Sequence, residues 1–108
     1  MLNTTVLIME DMSQTIMPEQ IMASAIMEFG IQAQIDMAIE ECAELINALE
    51  KYRRGRNTED DVATEIADVM IMAEQMAFIF GPQFVNHEKE RKLERLLKRI
   101  INHQKNKK

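Results

Sequence analysis

The 108-residue sequence contains no Trp, one Tyr, 3 Gly and 2 Pro, and aromatic residues make up only 5% of it. A β-sandwich or barrel needs β-branched and aromatic strands with frequent turns, so this scarcity disfavours both. The one cysteine, Cys42, has no partner for an internal disulfide, and no secretory leader pattern opens the chain. No run approaches the roughly 18 apolar residues of a membrane span. We therefore expect a cytoplasmic, mainly helical protein with no membrane partner.

The residues that are abundant indicate a globular protein. Hydrophobic residues make up 46% and charged residues 29%, and this length suits a single domain over 1–108. The ten methionines are interpreted as adaptable core side chains of helices. Residues 1–15 carry weak signals and are expected to be irregular or partly helical, while 104–108 are expected to form a basic tail.

Glycine, proline and apolar spacing predict four main helices, over 18–29, 31–54, 62–80 and 88–103. Asn57 or Thr58 is the expected cap of the third helix, with Asp61 in or near its first turn. Apolar residues recur at steps of three and four along the second helix, at Ile35, Ala38, Ile39, Cys42, Leu45, Ile46 and Leu49. Short connections favour antiparallel neighbours, so the predicted fold is an all-α bundle of four to five helices.

Charge is distributed unevenly along the chain. Residues 1–81 hold 15 acids against 4 bases, giving −11, whereas residues 82–108 hold 3 acids against 9 bases, giving +6. The bases of 89–99 alternate with leucine and isoleucine at helical spacing, which is typical of a packed amphipathic helix. Because the body is acidic and stacking aromatics are scarce, a nucleic-acid partner is disfavoured.

Two pairs of acids occur at i, i+3 on the second and third helices: Glu41 with Glu44, and Glu65 with Asp68. This spacing places each pair on one face of its helix. At about 100° per residue, Glu65 falls in the apolar sector of its helix, and Glu41 and Glu44 share a face with Ala48. Carboxylates directed at a core need a basic partner, a proton or a cation.

Oxygen-only ligands favour Mg²⁺ or Mn²⁺ over structural zinc or copper. A di-iron carboxylate bundle would supply Glu-x-x-His twice, yet the residues three before His87 and His103 are Phe84 and Ile100. The sequence also lacks a calcium-binding loop and a Gly-rich phosphate loop. Salt bridges to the basic last helix stay open as the alternative for these acids.

The segment Glu40-Glu41-Cys42-Ala43-Glu44, followed by Glu65-Ile66-Ala67-Asp68, resembles the E-E-x-x-E and E-x-x-D signature of the MazG-like all-α nucleoside triphosphate pyrophosphohydrolases, which are related to dimeric dUTPases. The resemblance covers about residues 18–101. It implies that Glu41, Glu44, Glu65 and Asp68 are catalytic residues that bind Mg²⁺ or Mn²⁺. Glu40 completes the doubled Glu, but it lies about 100° from Glu41 around the helix and so faces elsewhere; a solvent-exposed acid is expected there at least as much as a water-activating one.

The resemblance also implies hydrolysis of an NTP or dNTP to the monophosphate and pyrophosphate, in nucleotide-pool housekeeping. Its candidates for binding the substrate phosphates are Arg91, Lys92 and Arg95, and it implies a homodimer or homotetramer. The bases at the end of the second helix could also reach a phosphate, but the simpler interpretation is that they complement the helix dipole: Lys51, Arg53, Arg54 and Arg56.

The alternative function is a non-enzymatic helical interaction module. In that reading the Met-rich stripes form an oligomer interface, and the acids pair with the Lys/Arg-rich last helix. Charge and spacing alone do not separate the two functions, since both account for the acidic body and the basic last helix.

Overall fold

The computed structural model describes residues 16–107, which form four α-helices and no β-strand. They are α1 (Pro18–Phe29), α2 (Ile31–Arg53), α3 (Glu59–Phe80) and α4 (Pro82–Lys105). The predicted all-α fold is therefore confirmed. The expectations for residues 1–15 and for Lys108 lie outside the described residues.

The helix boundaries follow local chemistry. Gly30 ends α1 at φ 91° and Gly81 separates α3 from α4 at φ 112°, a region of backbone space that favours glycine. Proline occupies the first position of α1 and of α4, where the amide hydrogen that it lacks would have no helical partner. α3 begins three residues earlier than predicted and α4 begins six residues earlier.

Thr58 caps α3, as one of the two predicted candidates. Its hydroxyl accepts a hydrogen bond from the Asp61 backbone N–H at 3.3 Å, and its own N–H donates to Asp61 Oδ2 at 2.9 Å. This reciprocal pair is a capping box, with Asp in the position more often held by Glu. Three acids in the first turn, Glu59, Asp60 and Asp61, also suit the positive end of the helix dipole.

The chain divides after Phe78 into two compact units. In the first unit, the buried apolar residues are Ala48 of α2 with Val62 and Met72 of α3. Most of the predicted stripe on α2 is not buried: Ile39 is 65% exposed, Ile46 63% and Leu49 47%. The second unit consists mainly of α4, whose leucines and isoleucines are exposed as well. None of the helices in residues 16–107 has the length and apolar character needed to cross a membrane.

Candidate metal centre

Helices α2 and α3 run antiparallel in a fixed register, which positions the acids. The buried Gln34 side chain donates from Nε2 to Oε1 of the buried Gln75. Seven residues further along α2, Glu41 lies beside Asp68, which is seven residues before Gln75. Three residues beyond Glu41, Glu44 lies beside Glu65. Seven residues make two helical turns, so the two acid pairs follow the glutamine pair along one seam between the helices.

Three of the four predicted acids converge. One carboxylate oxygen from each of Glu41, Glu44 and Glu65 lies within 4.8 Å of the others. Glu41 and Glu65 are half-buried and Glu44 is exposed, so the cluster opens to solvent on one side. Oε2 of Glu41 and Oε2 of Glu65 are fully shielded from solvent and have no hydrogen-bond partner. Shielded carboxylate oxygens without a donor call for a proton or a cation.

The pKa values of two glutamates in the cluster reflect the same crowding of negative charge. Burial raises the pKa of Glu41, and the neighbouring Glu44, Asp68 and Glu65 raise it further. Burial also raises the pKa of Glu65, with added contributions from Glu44 and Asp68. Both effects shift each group towards its protonated form relative to a free glutamate, because burial and like charges at short range disfavour ionisation.

Asp68 lies at the edge of this cluster. It is not among the three residues whose oxygens converge, but its carboxylate is half-buried and close enough to Glu41 to share a hydrogen bond when one of the two is protonated. Glu40 is exposed, as expected from its position about 100° around α2 from Glu41. The residues of the acid signature therefore separate into three converging carboxylates, one flanking carboxylate and one outward acid.

The donor set suits a hard divalent cation. All the converging ligand atoms are carboxylate oxygens, which Mg²⁺ and Mn²⁺ prefer, and the described residues of the cluster offer no thiolate or imidazole. Mg²⁺ usually keeps several waters and takes only a few protein carboxylates. The residues present therefore fit Mg²⁺ or Mn²⁺.

A polar cavity of about 410 Å³ adjoins the cluster. Glu44 and Glu65 form part of its wall, and the remaining lining residues are Asn47, Ala48, Lys51, Asn57, Asp61 and Thr64. Its volume is within the usual range of small-molecule sites. Two side chains of the carboxylate cluster thus also line a ligand-sized cavity.

The predicted phosphate-binding residues all lie on α4, in the second unit. Arg91, Lys92 and Arg95 are exposed. Arg91 donates from Nε at 3.1 Å and from Nη2 at 2.7 Å to Oε2 of Glu88, one turn earlier on the same helix. Lys92 lines a shallow, mostly apolar groove along α4. A role for these three residues at the substrate phosphates stays a prediction.

Sequence reasoning missed three polar residues that shape the site. The roles of Gln34 and Gln75 are not evident from local sequence, although each lies seven residues from an acid of the same seam. Asn57 is a cap candidate by sequence, whereas in the structure its Nδ2 donates to the Ala48 carbonyl at 3.0 Å and holds the α2–α3 connection against α2. The seven-residue spacing was the available signal for the glutamines.

Comparison of the chain with protein-family models, with curated proteins and with solved structures finds no match.

Proposed function

We propose that this protein is a Mg²⁺-dependent nucleoside triphosphate pyrophosphohydrolase of the MazG-like type, which cleaves an NTP or dNTP to the monophosphate and pyrophosphate in nucleotide-pool housekeeping. One observation carries the proposal: carboxylate oxygens of Glu41, Glu44 and Glu65 lie within 4.8 Å of one another, and two of these side chains have a shielded oxygen with no donor. Purely structural acids would be expected to have basic partners, and within residues 16–78 the ion pairs join Arg53 and Arg54 to Glu50 and none involves the cluster.

Glu41, Glu44 and Glu65 would hold Mg²⁺ or Mn²⁺, with Asp68 completing the ligand set from the edge of the cluster. When bound, the cation neutralises phosphate charge and lowers the pKa of a coordinated water. In the reaction, water attacks the α-phosphorus, the bond from that phosphorus to the bridging oxygen breaks, and pyrophosphate leaves. A carboxylate of the cluster accepts the proton that the attacking water loses. The open side of the cluster and the adjoining cavity provide access for the substrate.

Product identity tests this proposal directly. Purified protein is incubated with a panel of NTPs and dNTPs, with Mg²⁺ or with EDTA, and the nucleotide products and pyrophosphate are measured. Monophosphate plus pyrophosphate, lost with EDTA, is the expected result. Diphosphate plus phosphate would place the cleaved bond elsewhere and contradict the proposal, as would the absence of turnover.

Two matched substitutions assign the turnover to the cluster. Asp68→Asn is expected to abolish it, whereas Asp36→Asn, the same chemical change at an exposed position on α2, is expected to retain it. Glu41→Gln is expected to behave like Asp68→Asn. Unchanged helicity by circular dichroism separates loss of the site from loss of the fold.

We also propose that the protein acts as a homodimer or homotetramer. The apolar stripe on α2 that should be buried is largely exposed, and a second apolar surface between α1 and α3 is lined by Ile21, Met22, Met70 and Ile71. Apolar patches beyond a few hundred Å² mark interaction sites in soluble proteins. A second copy is the proposed occupant, because the same stripe on each copy provides matching apolar partners in a symmetric contact.

The same exposed stripes favour the non-enzymatic interaction module as the second candidate. Self-association is common to both candidates, so it does not distinguish them. Metal binding does: Mg²⁺ acting through the carboxylate cluster should raise the melting temperature of the enzyme and should leave that of a module without a metal site unchanged.

A further inference from the structure

The cavity beside the acid cluster has a single cationic lining residue, Lys51. We propose that Lys51 binds the leaving, terminal phosphates of a polyphosphate substrate, and that this cavity takes the polyphosphate part of the nucleotide while the base lies outside it. The inference rests on the proposed function, and it assigns to that site a substrate orientation and a binding residue.

The position of Lys51 suits this role. It follows Glu44 by seven residues on α2, which is two helical turns or about 10 Å along the same face. Glu44 and Lys51 both line the cavity, so the proposed metal site lies near one part of its wall and an ammonium group near another. A polyphosphate held by the metal at the acids can extend along α2 towards Lys51.

Two bases of this helix end, Lys51 and Arg56, form no ion pair within residues 16–78, and of these two only Lys51 lines the cavity. Arg53 and Arg54 both contact Glu50, at 2.5 Å and 3.8 Å. Lys51 forms no such pair within residues 16–78, and Asp61, whose pKa is lowered in part by the Lys51 charge, accepts two hydrogen bonds from Thr58. The dipole interpretation therefore suits Arg53 and Arg54, whereas Lys51 keeps its donors free for a ligand.

The rest of the lining indicates which part of a nucleotide fits. The cavity is predominantly polar, and no aromatic side chain lines it. A nucleobase is normally held by stacking or by an apolar wall, and neither is present here. Phosphate oxygens, in contrast, need cations and donors, which Lys51, the Asn47 amide and the metal at Glu44 and Glu65 would supply.

The balance of charge makes the metal a requirement for this binding. Three acids, Glu44, Asp61 and Glu65, line the cavity against one lysine. Without a divalent cation the cavity is negative and repels a polyphosphate. We therefore expect inorganic tripolyphosphate, which has no base or sugar, to bind in Mg²⁺ and not in EDTA.

The test is calorimetric titration of tripolyphosphate into the full-length protein, in Mg²⁺ and in EDTA, with two matched variants. Lys51→Gln and Arg53→Gln each remove one positive charge from the exposed end of α2. We expect Lys51→Gln to weaken the Kd about ten- to a hundred-fold, the range for losing a hydrogen bond between charged groups. Arg53→Gln should leave the Kd within about two-fold.

Equal weakening by both variants would show only general attraction to a basic helix end and would overturn the inference. An unchanged Kd in Lys51→Gln would overturn it as well, as would tripolyphosphate binding that persists in EDTA.

Nucleotide turnover separates this inference from the proposed function. If the wild-type protein binds tripolyphosphate through Lys51 but cleaves no nucleotide, the polyphosphate site stands and the hydrolase proposal fails. If it cleaves nucleotides with the same KM in Lys51→Gln, the hydrolase stands and the assignment of Lys51 fails.

Discussion

Gln34 and Gln75 form a buried side-chain hydrogen bond between α2 and α3, two helical turns from the pair formed by Glu41 and Asp68. Only one relative position of the helices allows this bond, because a shift by one turn would place an amide against an apolar side chain. The same position brings Glu44 beside Glu65. The glutamine pair therefore fixes the register on which the carboxylate cluster depends.

Removing one glutamine should destabilise the protein more than removing both. Gln34→Leu leaves the Gln75 amide, only 4% exposed, without a partner, at a cost of about 1–3 kcal/mol in the free energy of unfolding. Replacing both by Leu should recover most of that loss, since two apolar groups need no donor. Urea denaturation of the two single variants and the double variant measures this. The exposed Gln32→Leu is the control, and additive losses in the double variant would contradict the pairing.

Mg²⁺ should stabilise the folded protein through the carboxylate cluster. With free Mg²⁺ at about 100 times its Kd, the melting temperature of a domain of this size should rise by on the order of 10 °C. Glu44→Gln should lose most of this rise, because it removes one of the three converging oxygens. Glu40→Gln, the same change on an exposed residue of α2, should retain the rise. A wild-type melting temperature that Mg²⁺ does not move would favour the interaction module.

The metal-free protein should lose stability as pH rises from 4.5 towards neutrality. Glu41 and Glu65 have folded-state pKa values above the ordinary 4.5, so in this window the folded protein binds more protons than the unfolded chain. The free energy of unfolding then falls with increasing pH. Asp61 and Glu88 have lowered pKa values and act below the window.

Thermal melts in EDTA across this range measure the effect. Glu41→Gln should flatten the dependence, since the amide does not titrate. The amide variant should also be more stable than the wild type at neutral pH without metal. A metal-free melting temperature that rises with pH over the window would mean that the carboxylates are stabilised in their charged form by some other partner.

The helices were predictable because their signals are local. Gly30, Gly81 and the two prolines mark boundaries, and Thr58 with Asp61 forms a cap within four residues of sequence. The i, i+3 acids could be assigned to one helix face for the same reason. The contact between α2 and α3 was not predictable in the same way, because it depends on residues that are distant in sequence. Gln34 and Gln75 are 41 residues apart, and nothing near either one shows that the two amides meet.

The cavity and the apolar surface were harder to predict for a related reason. In the sequence, nothing distinguishes Lys51 from the other bases of this helix end, because the ion pairs of Arg53 and Arg54 with Glu50 and the cavity beside Lys51 are seen only in the folded chain. The apolar periodicity of α2 identifies a hydrophobic face, but it does not identify the helix or the second copy that would bury that face. Ile46 is 63% exposed within the chain, so that part of the pattern does not describe the core of a single copy.

The cap of α3 offers a local test of stability near the cavity. Thr58→Ala removes the hydroxyl that accepts the Asp61 backbone N–H and should cost about 1 kcal/mol in the free energy of unfolding. Thr58→Ser keeps the hydroxyl and should cost much less. The pKa of Asp61 is lowered mainly by its hydrogen bonds to Thr58. The Asp61 carboxylate therefore stabilises the folded protein at pH values above 3.8, and this stabilisation is lost as pH falls through the lower folded-state pKa. Urea melts of both variants check the first expectation, and equal stability of Ala and Ser would contradict it.

Charge placed on the exposed stripe of α2 should separate the proposed copies without unfolding a single chain. Ile46→Lys puts an ammonium group at a position that is 63% exposed in one copy, so an isolated monomer would accept it with little loss of helicity. In a dimer or tetramer that buries this stripe, the same change buries an unpaired charge and should shift the mass towards the monomer. Ala33→Lys, an exposed position about 140° around α2, is the control. Sedimentation velocity of the wild type and both variants measures the mass. A monomeric wild type, or an assembly that Ile46→Lys leaves intact, would show that this stripe does not join the copies.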